Sequence, residues 1–291
     1  MKQIITGVGI TGLVGSRIVE LCPEYDFINA SSETGVDITN YQTLIEPIEK
    51  SNSSLVIHLA AKTSVDSCEE DKKEGKEGLA WKINVEGTKN VIKACKKSNK
   101  KIIYISTDYI FDGTKDYYTE EDKPNPINWY GQTKYEGELL IKNSGLSYLI
   151  VRITYPYRAR YDLKKDFVRA IIEKLNNNER VNLMNDHIFT PTLIDDIAGG
   201  LRLLIENKQQ GIFHLVGSQN LSPLDAGKKI AEIFNFDASL IGSTTSKEYL
   251  VGRAPRPLKL ATKNDKIKAL GANFHTFEEG LNIVKNQMEE K

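Results

Sequence analysis

A doubly wound parallel α/β sheet with a smaller C-terminal lobe is the fold class this sequence predicts. Three observations predict it: short β-rich apolar runs alternate with longer helical patterns, several runs are apolar on both faces, and a glycine-rich turn follows the first. Central strands covered by helices on each side lose the in–out alternation of a half-exposed strand. The alternation of element types builds βαβ units with right-handed crossovers.

The pattern predicts strands over 2–8, 27–30, 55–60, 102–107, 148–153 and 212–216. Helices are predicted over 13–21, 79–97, 129–143 and 193–206. After Tyr155 the pattern loosens, and the tract from Gly217 to Pro257 carries more loop signals. The charged run 69–77 reads as a solvated loop or helix end.

The first strand leads into Gly9-Ile-Thr11-Gly12-Leu13-Val14-Gly15 and then an amphipathic stretch. Glycines at this spacing let the backbone turn sharply and approach a pyrophosphate, while helix-start amides face the anion. A plain tight βα turn is the competing reading, and Thr6-Gly7 offers a second start. Position directly after the first strand favours a dinucleotide site on Gly9, Gly12 and Gly15. A dinucleotide-binding domain is then expected over 1–155, rejoined by 192–216, with 156–291 mainly a substrate-binding lobe. The second strand ends Asn29-Ala30-Ser31-Ser32, with neither the acidic residue that favours NAD nor an arginine for NADP. Asp37 and Ile38 come later and are read as flanking the adenine, with Asp37 equally readable as a helix cap. NADPH and NADH both stay open.

Asn128 is a helix cap before Trp129 and Tyr130, and Lys134 follows Tyr130 by one turn, on the same helix face. A phenol titrates near about 10, too high for easy proton exchange at neutrality, and a neighbouring ammonium lowers it. Tyr130 is thereby suited to general acid work. Surface helices carry this pair by chance, so its weight comes from the glycine turn and the strand that ends at Thr107.

With 291 residues the chain has room for one large domain or two sharing a core. Lys plus Arg and Asp plus Glu each total 39, and this balance gives nucleic acid or a membrane surface no electrostatic footprint. No stretch approaches the roughly 20 apolar residues of a membrane span, and no signal-peptide pattern opens the chain. Cys22, Cys68 and Cys95 are odd in number and lack CxxC spacing, as reduced structural thiols do. A cytoplasmic protein is expected. The four histidines, His58 among them, lack metal-site spacing, so no metal is expected.

These residues resemble the extended short-chain dehydrogenase/reductases, and among them the dTDP-4-dehydrorhamnose reductases and related sugar-nucleotide reductases. The resemblance is carried by His58-Leu-Ala-Ala-Lys-Thr-Ser-Val-Asp66, Asn84-Val-Glu-Gly-Thr88, Ser106-Thr-Asp-Tyr-Ile-Phe-Asp-Gly113, Pro126 through Tyr130-Gly-Gln-Thr-Lys-Tyr-Glu-Gly-Glu138, Thr190-Pro-Thr192, Asp195-Asp-Ile-Ala198 and Arg256-Pro257. It implies that Thr107 bonds a substrate carbonyl, Tyr130 delivers the proton and Lys134 holds the nicotinamide ribose. It places Ala60, Ala61 and Lys62 along the cofactor through their backbone, has Asn84 brace the catalytic strand, and implies a homodimer. Thr107 also reads as a strand-end hydroxyl bonding its own backbone, and Asn84 as a satisfied buried polar residue.

Members of this family reduce, epimerise or dehydrate sugars. Dehydratases carry an acid where Tyr109 follows Thr107-Asp108, so dehydration is disfavoured and Asp108 and Tyr109 are read as substrate contacts. Rhamnose-type reductases tend to have tryptophan where this chain has Tyr155, and an Asp-Gln pair before the Pro-Thr where it reads Asn185-Asp-His-Ile-Phe-Thr-Pro191. Tyr155 is read as stacking on a sugar or base and Arg256 as pairing with a diphosphate. A core-edge aromatic and a surface salt bridge are the equal alternatives. The expected activity is reduction of a 4-keto sugar nucleotide with NADPH or NADH. The rivals are an epimerase and a non-catalytic subunit resembling the β subunit of methionine adenosyltransferase.

Overall fold

The computed structural model describes residues 2–290. Strands β1 (Gln3–Val8), β2 (Tyr25–Ala30), β3 (Leu55–His58), β4 (Lys101–Thr107), β5 (Tyr148–Ile153) and, later in the chain, Gly211–His214 form one six-stranded sheet. All five neighbouring pairs are parallel, in the order β2-β1-β3-β4-β5 and then Gly211–His214. The strand order turns outward from β1 and β3, so the ends of β1, β3 and β4 open on one crevice.

Both faces of β4 are buried, which is why its sequence shows no alternation. Ile103 and Ile105 pack with Ile5, Ile57, Val151 and Ile18 of helix α1 (Leu13–Leu21). Ile102 and Tyr104 point the other way, onto Val91, Ala94 and Cys95 of α2 (Thr88–Lys97) and Ile141 of α3 (Trp129–Lys142). Each fully buried aliphatic chain contributes roughly 2 kcal/mol. A third core gathers Tyr157, Val168, Phe189, Leu193, Ile230 and Leu281, away from the sheet.

The predicted strands stand within a few residues of their observed bounds. The strand expected to run to 60 stops at His58 because Leu59 and Ala60 both donate to the Val8 carbonyl, at 2.8 and 3.1 Å, and bend the chain over the site. The helix expected over 79–97 is helical throughout, but its centre, Lys82–Gly87, widens into a π-type segment that carries Asn84. Charged run 69–77 continues a helix, Val65–Asp71, into a 3-10 segment, Lys72–Glu77.

The tract 217–257 is more ordered than its loop signals suggest. It holds the helix Pro223–Phe234 and the strand Ile241–Thr244, which pairs with Val181–Met184. The signals were helix punctuation: the Ser222 side chain accepts from Asp225 N at 3.1 Å and Pro223 fills the first turn. Ile194, Ile197, Leu201, Leu204, Phe213 and Leu215 pack into the sheet core, and so do Ile267 and Phe274 from further along. No helix among the described residues is long and apolar enough to cross a membrane.

Candidate active site

A cleft of about 590 Å³ opens where β1, β3 and β4 end. Its first wall is the glycine turn. Gly9 takes φ +73°, and a Cβ there would lie 2.7 Å from the Ala60 backbone. Gly15 brings α1 against the turn, where a Cβ would stand 2.3 Å from the Ile10 carbonyl oxygen. Gly7 lies inside β1, so the turn uses Gly9, Gly12 and Gly15. Gly12 caps α1 without a side-chain hydrogen bond, and the first turn has no acidic residue. The helix start is thus an open set of amides at the positive end of a dipole, and this cradle fits a dinucleotide diphosphate.

Leu13, Val14, Ala60 and Ala61 line the same cleft. Thr11, Lys62, Asp37 and Ile38 are not among the residues that line it. The Thr11 carbonyl accepts from the Tyr161 hydroxyl at 2.8 Å. The Lys62 side chain turns to Asp71, 2.6 Å away, and to the Ser67 carbonyl, while its backbone, the part expected along the cofactor, is held by Asn84. Asp37 neither caps a helix nor lines the cleft, but closes its own turn by accepting from Thr39 N and Oγ1 at 2.9 and 2.8 Å. The Ile38 side chain is buried in the sheet core, facing Gly87.

Asn84 holds the loop after β3 rather than a strand. Its Oδ1 accepts from Lys62 N at 2.8 Å, and its Nδ2 donates to the Lys62 carbonyl and to Thr133 Oγ1 at 3.1 and 2.9 Å. One buried amide therefore ties the cleft floor to the helix that carries Tyr130 and Lys134.

That helix starts as its sequence indicates, with Asn128 Oδ1 accepting from Gly131 N at 2.8 Å. Asn128 Nδ2 also donates to the Pro255 carbonyl, fixing the helix start to a segment far along the chain. Gly131 lets the helix approach β4's end, since a Cβ would stand 2.1 Å from the Tyr109 carbonyl oxygen. Thr107, Asp108, Tyr109, Tyr130, Lys134 and Tyr155 all reach the cleft.

The Lys134 ammonium donates to the Ile105 carbonyl at 2.8 Å and sits 4.1 Å from the Tyr104 ring centre. Burial pushes it down to about 7, against the pull of Glu138. Tyr130 lies edge-on to Tyr109, and burial pushes its phenol above the usual value while Thr107 acts in the opposite direction. The ammonium expected to lower the phenol is directed to a carbonyl, so desolvation governs both groups.

Thr107 takes the strand-end role read for it, with its hydroxyl turned to its own neighbours at the cleft. Its Oγ1 accepts from Tyr109 N at 3.3 Å and shares a 3.0 Å hydrogen bond with Asp108 Oδ1. Burial pushes the Asp108 carboxyl up from 3.8 to about 7, against the hydrogen bonds from Thr107 and nearby backbone amides. Its Oδ2 is buried with no partner.

Tyr155 stands at φ +35°, and its hydroxyl meets that of Tyr109 at 2.8 Å. Its ring packs on Phe189, with centres 4.6 Å apart. Arg256 does not line the cleft; it pairs with Asp66 at 2.8 Å and the Ala254 carbonyl at 3.0 Å, which is the salt-bridge alternative. Sequence reasoning missed the opposite wall: Tyr161, Lys164, Lys165, Asp166 and Phe167. Two adjacent lysines in a Pro-Tyr-Arg-rich loop were the available signal, yet nothing local ties them to a turn 150 residues earlier.

Residues 1–290 match the family described as RmlD substrate binding domain. A probable low-salt glycan biosynthesis reductase of Haloferax volcanii is 30% identical, covering 94% of each chain. The methionine adenosyltransferase 2 subunit beta of Mus musculus is 29% identical over 78% of this chain and 68% of its own. The solved dTDP-4-dehydrorhamnose reductase of Bacillus anthracis, in complex with NADP, superposes with a TM-score of 0.89 at 29% identity, covering 99% of this chain and 100% of its own.

Proposed function

The chain belongs to the RmlD substrate binding domain family, and from that membership we propose that it reduces a 4-keto-6-deoxy sugar nucleotide with NADPH or NADH. It is an NAD(P)-dependent oxidoreductase of the extended short-chain type. The observation that carries the substrate reading is the meeting of Thr107, Tyr130 and Lys134 in one cleft with the open glycine turn. The third core, beyond Tyr155, is proposed as the substrate lobe.

When bound, a reduced nicotinamide would supply the hydride that the keto carbon needs. Thr107 anchors the ketone oxygen, Tyr130 gives it a proton, and Lys134 holds the ribose. A threonine hydroxyl has one proton and two lone pairs. The Tyr109 amide occupies one lone pair. A protonated Asp108 donates to the other, which leaves the Thr107 proton for the substrate oxygen. An ionised Asp108 competes for that proton instead.

The pH dependence follows. As pH rises through about 7, Asp108 ionises, and kcat/KM is expected to fall. Asp108→Asn keeps a donor and is expected to lack that limb, whereas titration of Lys134 would leave it in place. Thermal stability is the second readout. A carboxyl whose folded value exceeds its unfolded one withdraws stability as pH rises from about 4 to about 7, and the Asn variant should not show that decline.

The direct test mixes protein, NADPH or NADH, and dTDP-4-keto-6-deoxy sugars, and follows nicotinamide absorbance. Stoichiometric loss of the reduced cofactor is expected. Sugar conversion without net oxidation would point to epimerisation. The likeness to methionine adenosyltransferase 2 subunit beta favours a second reading, a regulatory subunit. That reading needs no turnover on any sugar nucleotide and a partner captured in stoichiometric amount.

A further inference from the structure

We propose that Lys164, on the loop 161–166, supplies the counter-charge for the diphosphate of the bound dinucleotide. This rests on reading the cleft as a dinucleotide site. The wall formed by Gly9, Gly12, Leu13, Val14 and Gly15 offers amides but no charged side chain. A helix start carries only about half a unit of positive charge, against two negative charges on a diphosphate. A cation is missing from that wall.

The opposite wall holds one suited to the task. Three lysines line the cleft: Lys134, Lys164 and Lys165. Lys134 is buried on the Ile105 carbonyl, and Lys165 pairs with Glu173. Lys164 has no carboxylate partner among the described residues; its ammonium crosses to the Thr63 hydroxyl at 2.9 Å. A neutral hydroxyl is readily exchanged for a phosphate oxygen, because the phosphate's negative charge adds Coulombic attraction to the same ammonium.

The loop is built to hold the lysine there. Arg169 NH2 donates to the Lys164 carbonyl at 2.6 Å, its NH1 donates to the Tyr161 carbonyl, and its Nε donates to Asp166 at 2.7 Å. Tyr161 is tied to the Thr11 carbonyl inside the glycine turn. Arg158, at the base of the loop, donates to the Leu13 carbonyl at 3.3 Å and pairs with Glu20 at 2.8 Å, both on α1. The backbone is therefore anchored to the element that presents the amides, while the Lys164 ammonium stays free to turn.

The test is isothermal titration of wild type, Lys164→Gln and Lys164→Arg with NADPH, NADH and dTDP. Lys164→Gln is expected to weaken both dinucleotides by the same factor, about tenfold, and to flatten the salt dependence of binding. Lys164→Arg should retain most of the affinity. Equal binding by wild type and Lys164→Gln would overturn the proposal. So would weakening confined to NADPH, which would place the lysine on the 2′-phosphate, or weakening confined to dTDP, which would place it on the substrate. A wild type that binds neither dinucleotide would remove the reductase reading itself.

Discussion

Tyr130→Phe is expected to lower turnover by roughly 10²- to 10⁴-fold, the range for loss of a positioned general acid, with dinucleotide affinity nearly unchanged. The substitution removes one oxygen and leaves the ring edge-on to Tyr109. The helix keeps its Asn128 cap, and Lys134 keeps its carbonyl. Steady-state kinetics and dinucleotide titration separate the two quantities. Undiminished turnover would take the tyrosine out of the chemistry.

The second large effect concerns the support beneath that helix. Glu138 and Arg152 are almost fully buried, and they meet through two parallel hydrogen bonds, Nε to Oε1 and NH2 to Oε2, each 2.9 Å. The pair joins α3, one turn beyond Lys134, to β5. Glu138→Ala leaves a guanidinium in the interior with no carboxylate, which costs about 3–5 kcal/mol. Urea unfolding is expected to show that loss as a lower midpoint with an unchanged slope. A loss under about 1 kcal/mol would mean that water or His214, 3.4 Å from Arg152, already compensates the charge.

Some features were legible because they are local. The strand 148–153 was bounded from its apolar run, and α1 from the glycine turn and its periodicity, since burial on both faces of a strand leaves its mark residue by residue. Asn128 announced the helix of Tyr130, because a cap acts on amides three residues away. The chain after Tyr155 was harder to read. Its short strand Pro156–Tyr157 pairs with Thr192–Leu193, and no two-residue run carries a period.

The amino-acid order alone determined the doubly wound sheet and the shared face of Tyr130 and Lys134. Each follows from spacings of two to four residues, over which backbone geometry leaves little choice. Tertiary structure decided where the long side chains went: Lys62 to Asp71, Arg256 to Asp66, and Lys164 across to Thr63. A lysine or arginine reaches several partners from one Cα, and only the packing of distant segments selects among them.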